Sequence, residues 1–87
     1  MAITSGQMVI GTTAQQIDGN STNFYNLIIQ NESNTTKLHI GGPDVTINNG
    51  LGLTSGEKIQ ILVPPLENLW IVSHTEGHEV SWLRWDN

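Results

Sequence analysis

Turn-forming residues interrupt this chain at roughly ten-residue spacing, which leaves little room for anything but short strands. The clusters are Asp18-Gly19-Asn20-Ser21, Asn31 to Asn34, Gly41-Gly42-Pro43-Asp44, Asn49-Gly50, Ser55-Gly56 and Pro64-Pro65. Glycine permits positive φ and proline presets its own, so each cluster reads as a corner. Between the corners lie runs rich in Ile, Val, Leu and Thr, and none sustains a helical period.

Within those runs the side chains alternate. From Phe24 to Asn31, Tyr25, Leu27 and Ile29 share one face, with Asn26, Ile28 and Gln30 on the other. In Thr36 to Ile40, Leu38 and Ile40 point inward and Lys37 and His39 outward. Val45 and Ile47 alternate with Asp44 and Thr46. From Glu57 to Val63, Ile59, Ile61 and Val63 oppose Lys58, Gln60 and Leu62. Shorter candidates are Gln7 to Ile10 and Ala14 to Ile17, and the chain closes with Leu69 to Ser73 and Glu79 to Trp85. The expectation is an all-β fold: an antiparallel β-sandwich or small β-barrel of about 7–8 short strands. Residues 1–87 form one domain with no linker, and residues 1–7 are expected to be a flexible arm.

Two strands break the one-sided pattern. Leu69 and Ile71 oppose Trp70 and Val72, and Val80 and Trp82 oppose Leu83 and Trp85. A strand apolar on both faces is either covered by another segment or offers a binding patch. Tryptophan is enriched at interface centres. Trp70, Trp82, Trp85 and Leu83, with Met1 and Ile3 from the arm, are therefore the candidate protein-interface residues.

Charge narrows the partners. Three Lys and Arg stand against eight Asp and Glu, a formal net charge of −5. Lys37, Lys58 and Arg84 are too few and too scattered to displace counterions from nucleic acid or to dock on an anionic membrane. With 13% charged residues and abundant Asn, Gln, Ser and Thr, the surface suits a wet protein–protein interface. The chain has no cysteine, so it forms no disulfide and no thiolate metal site. Met1 to Gln7 carry neither the basic nor the apolar region of a secretory leader, so the expectation is a soluble chain.

Catalytic patterns are not found. There is no G-x-S-x-G elbow, and Ser73 and His74 are strand neighbours that point to opposite faces. The eight acids are scattered, and Asn-Gly-Leu-Gly-Leu lacks the lysine and helix of a phosphate loop. The segment His74-Thr75-Glu76-Gly77-His78-Glu79 gathers ligand-type residues, but Gly77 marks a turn, and a solvated hairpin loop is the reading adopted over a metal site. No cofactor, metal site or catalytic residue is read. Asn20-Ser21-Thr22, Asn31-Glu32-Ser33 and Asn34-Thr35-Thr36 match the glycosylation pattern and are read as unmodified loops.

One longer pattern runs through the middle of the chain. It comprises Asn26-Leu27-Ile28-Ile29-Gln30-Asn31, Leu38-His39-Ile40-Gly41-Gly42-Pro43-Asp44-Val45-Thr46, Asn49-Gly50-Leu51, Leu53-Thr54-Ser55-Gly56-Glu57, Pro64-Pro65 and Leu69-Trp70-Ile71-Val72. It resembles the small β-sandwich virion structural proteins encoded among head and tail genes of tailed bacteriophages. The resemblance spans roughly Met8 to Trp85 and consists mostly of turn chemistry. It implies a non-enzymatic capsid decoration (cement) protein that bridges subunits of the major capsid protein, self-associates as a dimer or trimer, and sits on the virion surface after a soluble phase in the host cytoplasm. The alternative is a carbohydrate- or receptor-binding module of a phage fibre or tail.

Overall fold

The computed structural model describes residues 3–17, 21–33 and 35–86. Eight strands follow one another: β1 (Ile3–Ile10), β2 (Gln15–Gln16), β3 (Tyr25–Asn31), β4 (Leu38–Gly41), β5 (Leu51–Leu53), β6 (Lys58–Val63), β7 (Trp70–Ser73) and β8 (His78–Asp86). They form two four-stranded sheets, ordered β1-β8-β3-β6 and β2-β7-β4-β5, and every pairing is antiparallel. Of the two architectures the sequence allowed, the sandwich is the one formed.

Alternation places the core. Tyr25, Leu27 and Ile29 of β3 lie opposite Val63, Ile61 and Ile59 of β6, so both strands send one apolar row inward. Ile10 and Val80 complete that sheet's share, and Ile17, Leu38, Ile40, Leu53 and Ile71 supply the other's. At one end of this core the Arg84 guanidinium lies 4.1 Å over the buried Tyr25 ring, a cation–π contact.

Residues 3–7, expected as a flexible arm, belong to β1. They pair with β8 residue by residue, from Ile3 opposite Trp85 to Gln7 opposite Ser81. The sequence hid this because Ser5, Gly6 and Gln7 carry no apolar alternation, while the ladder uses only backbone groups. Met1 lies outside the described residues.

Gly6 stands directly opposite Trp82, and a Cβ there would come within 2.7 Å of the indole ring. The indole ring thus occupies the space that a side chain at position 6 would take and closes the gap that glycine leaves in the inner row. Trp82 packs against the core rather than outward.

The segment from Pro43 to Asn49 is not a strand, despite the alternation of Val45 and Ile47. It coils on itself: the Val45 amide donates to Gly42 O, the Thr46 amide to Asn49 Oδ1, and the Gly50 amide to Thr46 O. The Asn49 and Thr46 side chains satisfy backbone groups locally here and outcompete a ladder. Val45 is buried by this coil, and a Cβ on Gly50 would come within 2.6 Å of Val45 and 2.9 Å of the His39 Cβ.

Strand β6 opens from a tight corner. Gly56 has φ +77°, and the Glu57 carboxylate accepts both the Thr54 amide (2.7 Å) and the Thr54 hydroxyl (2.6 Å). Those bonds favour the ionised carboxylate and hold its pKa below the ordinary value.

A Gly6→Val variant should displace the Trp82 ring. We expect a loss of about 1–3 kcal/mol in urea unfolding and a red shift of tryptophan fluorescence. An unchanged spectrum and midpoint would show that the ring does not rest on Gly6.

Candidate functional site

The two outer faces of the sandwich differ. On the β2-β7-β4-β5 sheet, His39 of β4 lies opposite Val72 of β7, both on the outer side. Both are nevertheless buried, at 8% and 2% exposure. The coil from Gly42 to Gly50 covers them, and Val45 fits against this face. Trp70, on the same side of β7 as Val72, is half-buried and lies opposite Gly41 and Gln16.

The outer face of the β1-β8-β3-β6 sheet has no such cover among the described residues. Its cross-strand rows follow from the registers. Ile3, Trp85, Asn26 and Leu62 form one row, and Ser5, Leu83, Ile28 and Gln60 the next. Farther along come Gln7, Ser81, Gln30 and Lys58. Ile3 is 69% and Leu62 49% exposed, and Ile28, Leu83 and Trp85 are half-buried. The apolar residues are thus contiguous at one end and give way at the other to a mostly polar surface that includes Lys58, with Glu79 and the exposed Val9 beyond it. A shallow depression of about 310 Å³ crosses the middle, lined by Ile28, Gln30, Lys58, Ser81, Trp82 and Leu83.

Of the residues expected at an interface, Ile3, Leu83 and Trp85 come together on this face. Trp82 is on the opposite side of its strand, over Gly6, and Trp70 is on the other sheet. Ile28 and Leu62 join the patch although neither was singled out. Their outward phase was readable in the alternation of their strands.

A second constellation is polar and buried. The Ser73 hydroxyl donates to His78 Nδ1 at 2.6 Å, and His78 Nε2–H donates to Asn31 Oδ1 at 2.7 Å. Asn31 Nδ2 donates to Thr36 O (2.8 Å) and Leu53 O (3.0 Å), while its Oδ1 also accepts the Ser33 amide. The Thr75 amide donates to Ser73 Oγ. Because Asn31 must accept from the ring, the proton sits on Nε2 and the neutral tautomer is fixed. Asn31 and Ser73 are 0% exposed and His78 3%. The network joins β3 and β8 of one sheet to β5 and β7 of the other.

Ser73 therefore partners His78, not its neighbour His74. The order Ser, His, Asn invites comparison with a nucleophilic triad, but the serine oxygen is sealed in the interior and bonded on both sides, and a carboxylate is not part of the chain of bonds. The arrangement fixes the two sheets to each other. Sequence reasoning missed it, although Asn31 occupies the inward phase of β3, where a polar side chain needs partners.

The hairpin residues read together as a possible ligand set are dispersed. His78 is inside, and Glu76 clamps the Thr12 amide (2.6 Å) and hydroxyl (3.0 Å). His74 instead meets His39, with Nε2 atoms 3.1 Å apart. Among the described residues, no group of three or more His, Asp or Glu side chains is placed to share a metal ion. No described helix is long and apolar enough to cross a membrane.

Neither a protein-family model nor a curated protein matches the sequence. A solved structure does match the fold. It comes from work described as "Bacillus endospore appendages form a novel family of disulfide-linked pili", with a TM-score of 0.60. The alignment covers 98% of this chain and 85% of that one at 11% identity. The likeness is one of fold.

Burial lowers the pKa of His78 below the usual imidazole value of 6.5. As pH falls below that value the unfolded chain takes up the proton before the folded one. The stabilisation from neutral His78 is thus complete above about pH 6.5 and is lost on acidification. We expect Tm to drop as pH goes from 7 to 5, and this part of the slope to vanish in His78→Gln. Ser73→Ala, which orphans His78 Nδ1 and the Thr75 amide, should cost about 1–3 kcal/mol at neutral pH. Thermal unfolding across pH checks both; identical slopes in the wild type and His78→Gln would refute the assignment.

Proposed function

We propose that this chain is a structural subunit without catalytic activity, and that it works by packing the outer face around Ile28, Leu62, Leu83 and Trp85 against other protein. The observation that carries this reading is the contrast between the faces. One outer face is partly covered by the chain's own coil, which buries Val72 and His39, and the other keeps a contiguous apolar end bordered by Asn, Gln and Ser. An apolar centre with a polar rim is the anatomy of a protein interface. The low charge and the scarcity of cations fit a protein partner better than a nucleic acid or an anionic membrane.

Two assemblies suit such a subunit. The sequence resemblance favours a virion role. There, copies bind the major capsid protein on the capsid surface, alone or as a dimer or trimer, and many weak contacts add up through avidity. The likeness of fold to an endospore appendage protein favours contacts between copies. That protein is described as forming disulfide-linked pili; the present 87 residues hold no cysteine, so contacts through them are non-covalent. The virion role is the reading adopted, because its motifs span most of this sequence, whereas the fold likeness carries 11% identity.

Leu83→Glu puts a charge at the middle of the patch without touching the inner row. We expect it to fold with a near-normal Tm and to lose binding to capsids of the phage that encodes the chain, measured by co-sedimentation. Mass spectrometry of purified virions should find the wild-type chain in many copies. If Leu83→Glu binds as the wild type does, the face is not the interface. If the wild type fails to bind capsids but sediments as an oligomer that the variant cannot form, self-assembly replaces decoration.

A further inference from the structure

His39 and His74 take no part in the buried network or the apolar face, yet they are held in an arrangement that two unrelated surface histidines would not adopt by default. Their Nε2 atoms face each other at 3.1 Å, and their ring centroids are 5.1 Å apart with planes tilted by 42°. We propose that this pair binds a divalent first-row transition ion of the zinc or nickel kind through the two Nε2 atoms, with water in the remaining positions.

The spacing is the first argument. Two imidazole nitrogens at about 2.0–2.1 Å from a tetrahedral ion stand roughly 3.3–3.4 Å apart. The observed separation needs only a slight opening to admit the ion. His74 is exposed at the start of the β7–β8 turn, so it can make that movement.

The second argument is the tautomer. His39 Nδ1 lies 3.3 Å from Gly50 O. A carbonyl can only accept, so Nδ1 carries the proton and Nε2 presents its lone pair toward His74. A ligating histidine that donates its other N–H to a backbone carbonyl is the usual outer arrangement at metal sites, and it fixes ring orientation. Without an ion, His74 Nε2–H donates to His39 Nε2; with an ion, His74 shifts its proton to Nδ1.

The third argument is rigidity on one side and access on the other. His39 is buried in β4 against the Gly50 coil, so one ligand is preset. On the His74 side a groove bounded by Thr12, Thr13, Val45, Ile47, Val72 and His74 opens and leaves room for waters. Lys37 lies nearby, beside Gly52, and its charge weakens the site without blocking it. With two protein ligands the binding is modest. Imidazole selects transition ions over calcium and magnesium, which prefer oxygen.

The test is thermal unfolding of the untagged protein with zinc, nickel or magnesium chloride. Once zinc or nickel exceeds its dissociation constant roughly tenfold, Tm should rise by about 5–10 °C, and magnesium should leave it unchanged. His74→Ala, at an exposed position, should fold normally and lose the rise. Nickel should broaden the NMR ring signals of His39 and His74 and spare those of His78. No rise up to about millimolar ion, an equal rise in His74→Ala, or broadening centred elsewhere would overturn the proposal.

Discussion

A strand has two faces and a two-layer sandwich has one interior, so every apolar side chain on the wrong face must find cover elsewhere. This constraint organises the molecule. On the β2-β7-β4-β5 sheet the Gly42–Gly50 coil supplies the cover, and Val72 and His39 end as buried as core residues. The coil can come so close because Gly50 has no Cβ where Val45 and His39 press against it. On the other sheet no described segment does the same. The asymmetry of the two faces separates a stabilising contact within the chain from a face that the described residues leave uncovered.

The layers are joined by polar as well as apolar contacts. Hydrophobic packing between sheets is indifferent to small slides, whereas hydrogen bonds are directional. The chain of bonds from Ser73 through His78 to Asn31 and Leu53 permits one relative placement of the sheets at that end. All four hydrogen-bonding positions of the Asn31 amide are filled. A network satisfied to this degree specifies geometry without the penalty of a stranded polar group.

Much of the fold was legible in the sequence because turn chemistry and period-two alternation are local. Tyr25, Leu27 and Ile29 lie inside and Asn26, Ile28 and Gln30 on the outer side, as their phase dictates. The failures have physical causes. β1 was obscured because Ser5-Gly6-Gln7 pair through backbone groups alone. The Val45–Ile47 alternation suggested a strand, but the neighbouring Thr46 and Asn49 side chains closed local bonds. Trp82 looked like an outward anchor, and only the register, which sets it over Gly6, reveals its inner position. Ile28 on β3 and Leu62 on β6 were visible as outward phases but not as members of one patch, because strand order across a sheet is non-local.

The lengths of the border strands carry one further consequence. The short sheet ends in β2 and β5, of two and three residues, which are too brief to template another chain. The long sheet ends in β6, where Lys58 guards the margin, and in β1, eight residues without a single ionisable side chain. Natural proteins discourage intermolecular strand addition with charge, proline or brevity, and β1 has none of these. Crowding at high concentration would therefore be felt first along β1, where a neighbour's extended backbone can continue the ladder, and a lysine in place of Gln7 or Val9 is the simplest way to keep the particles apart.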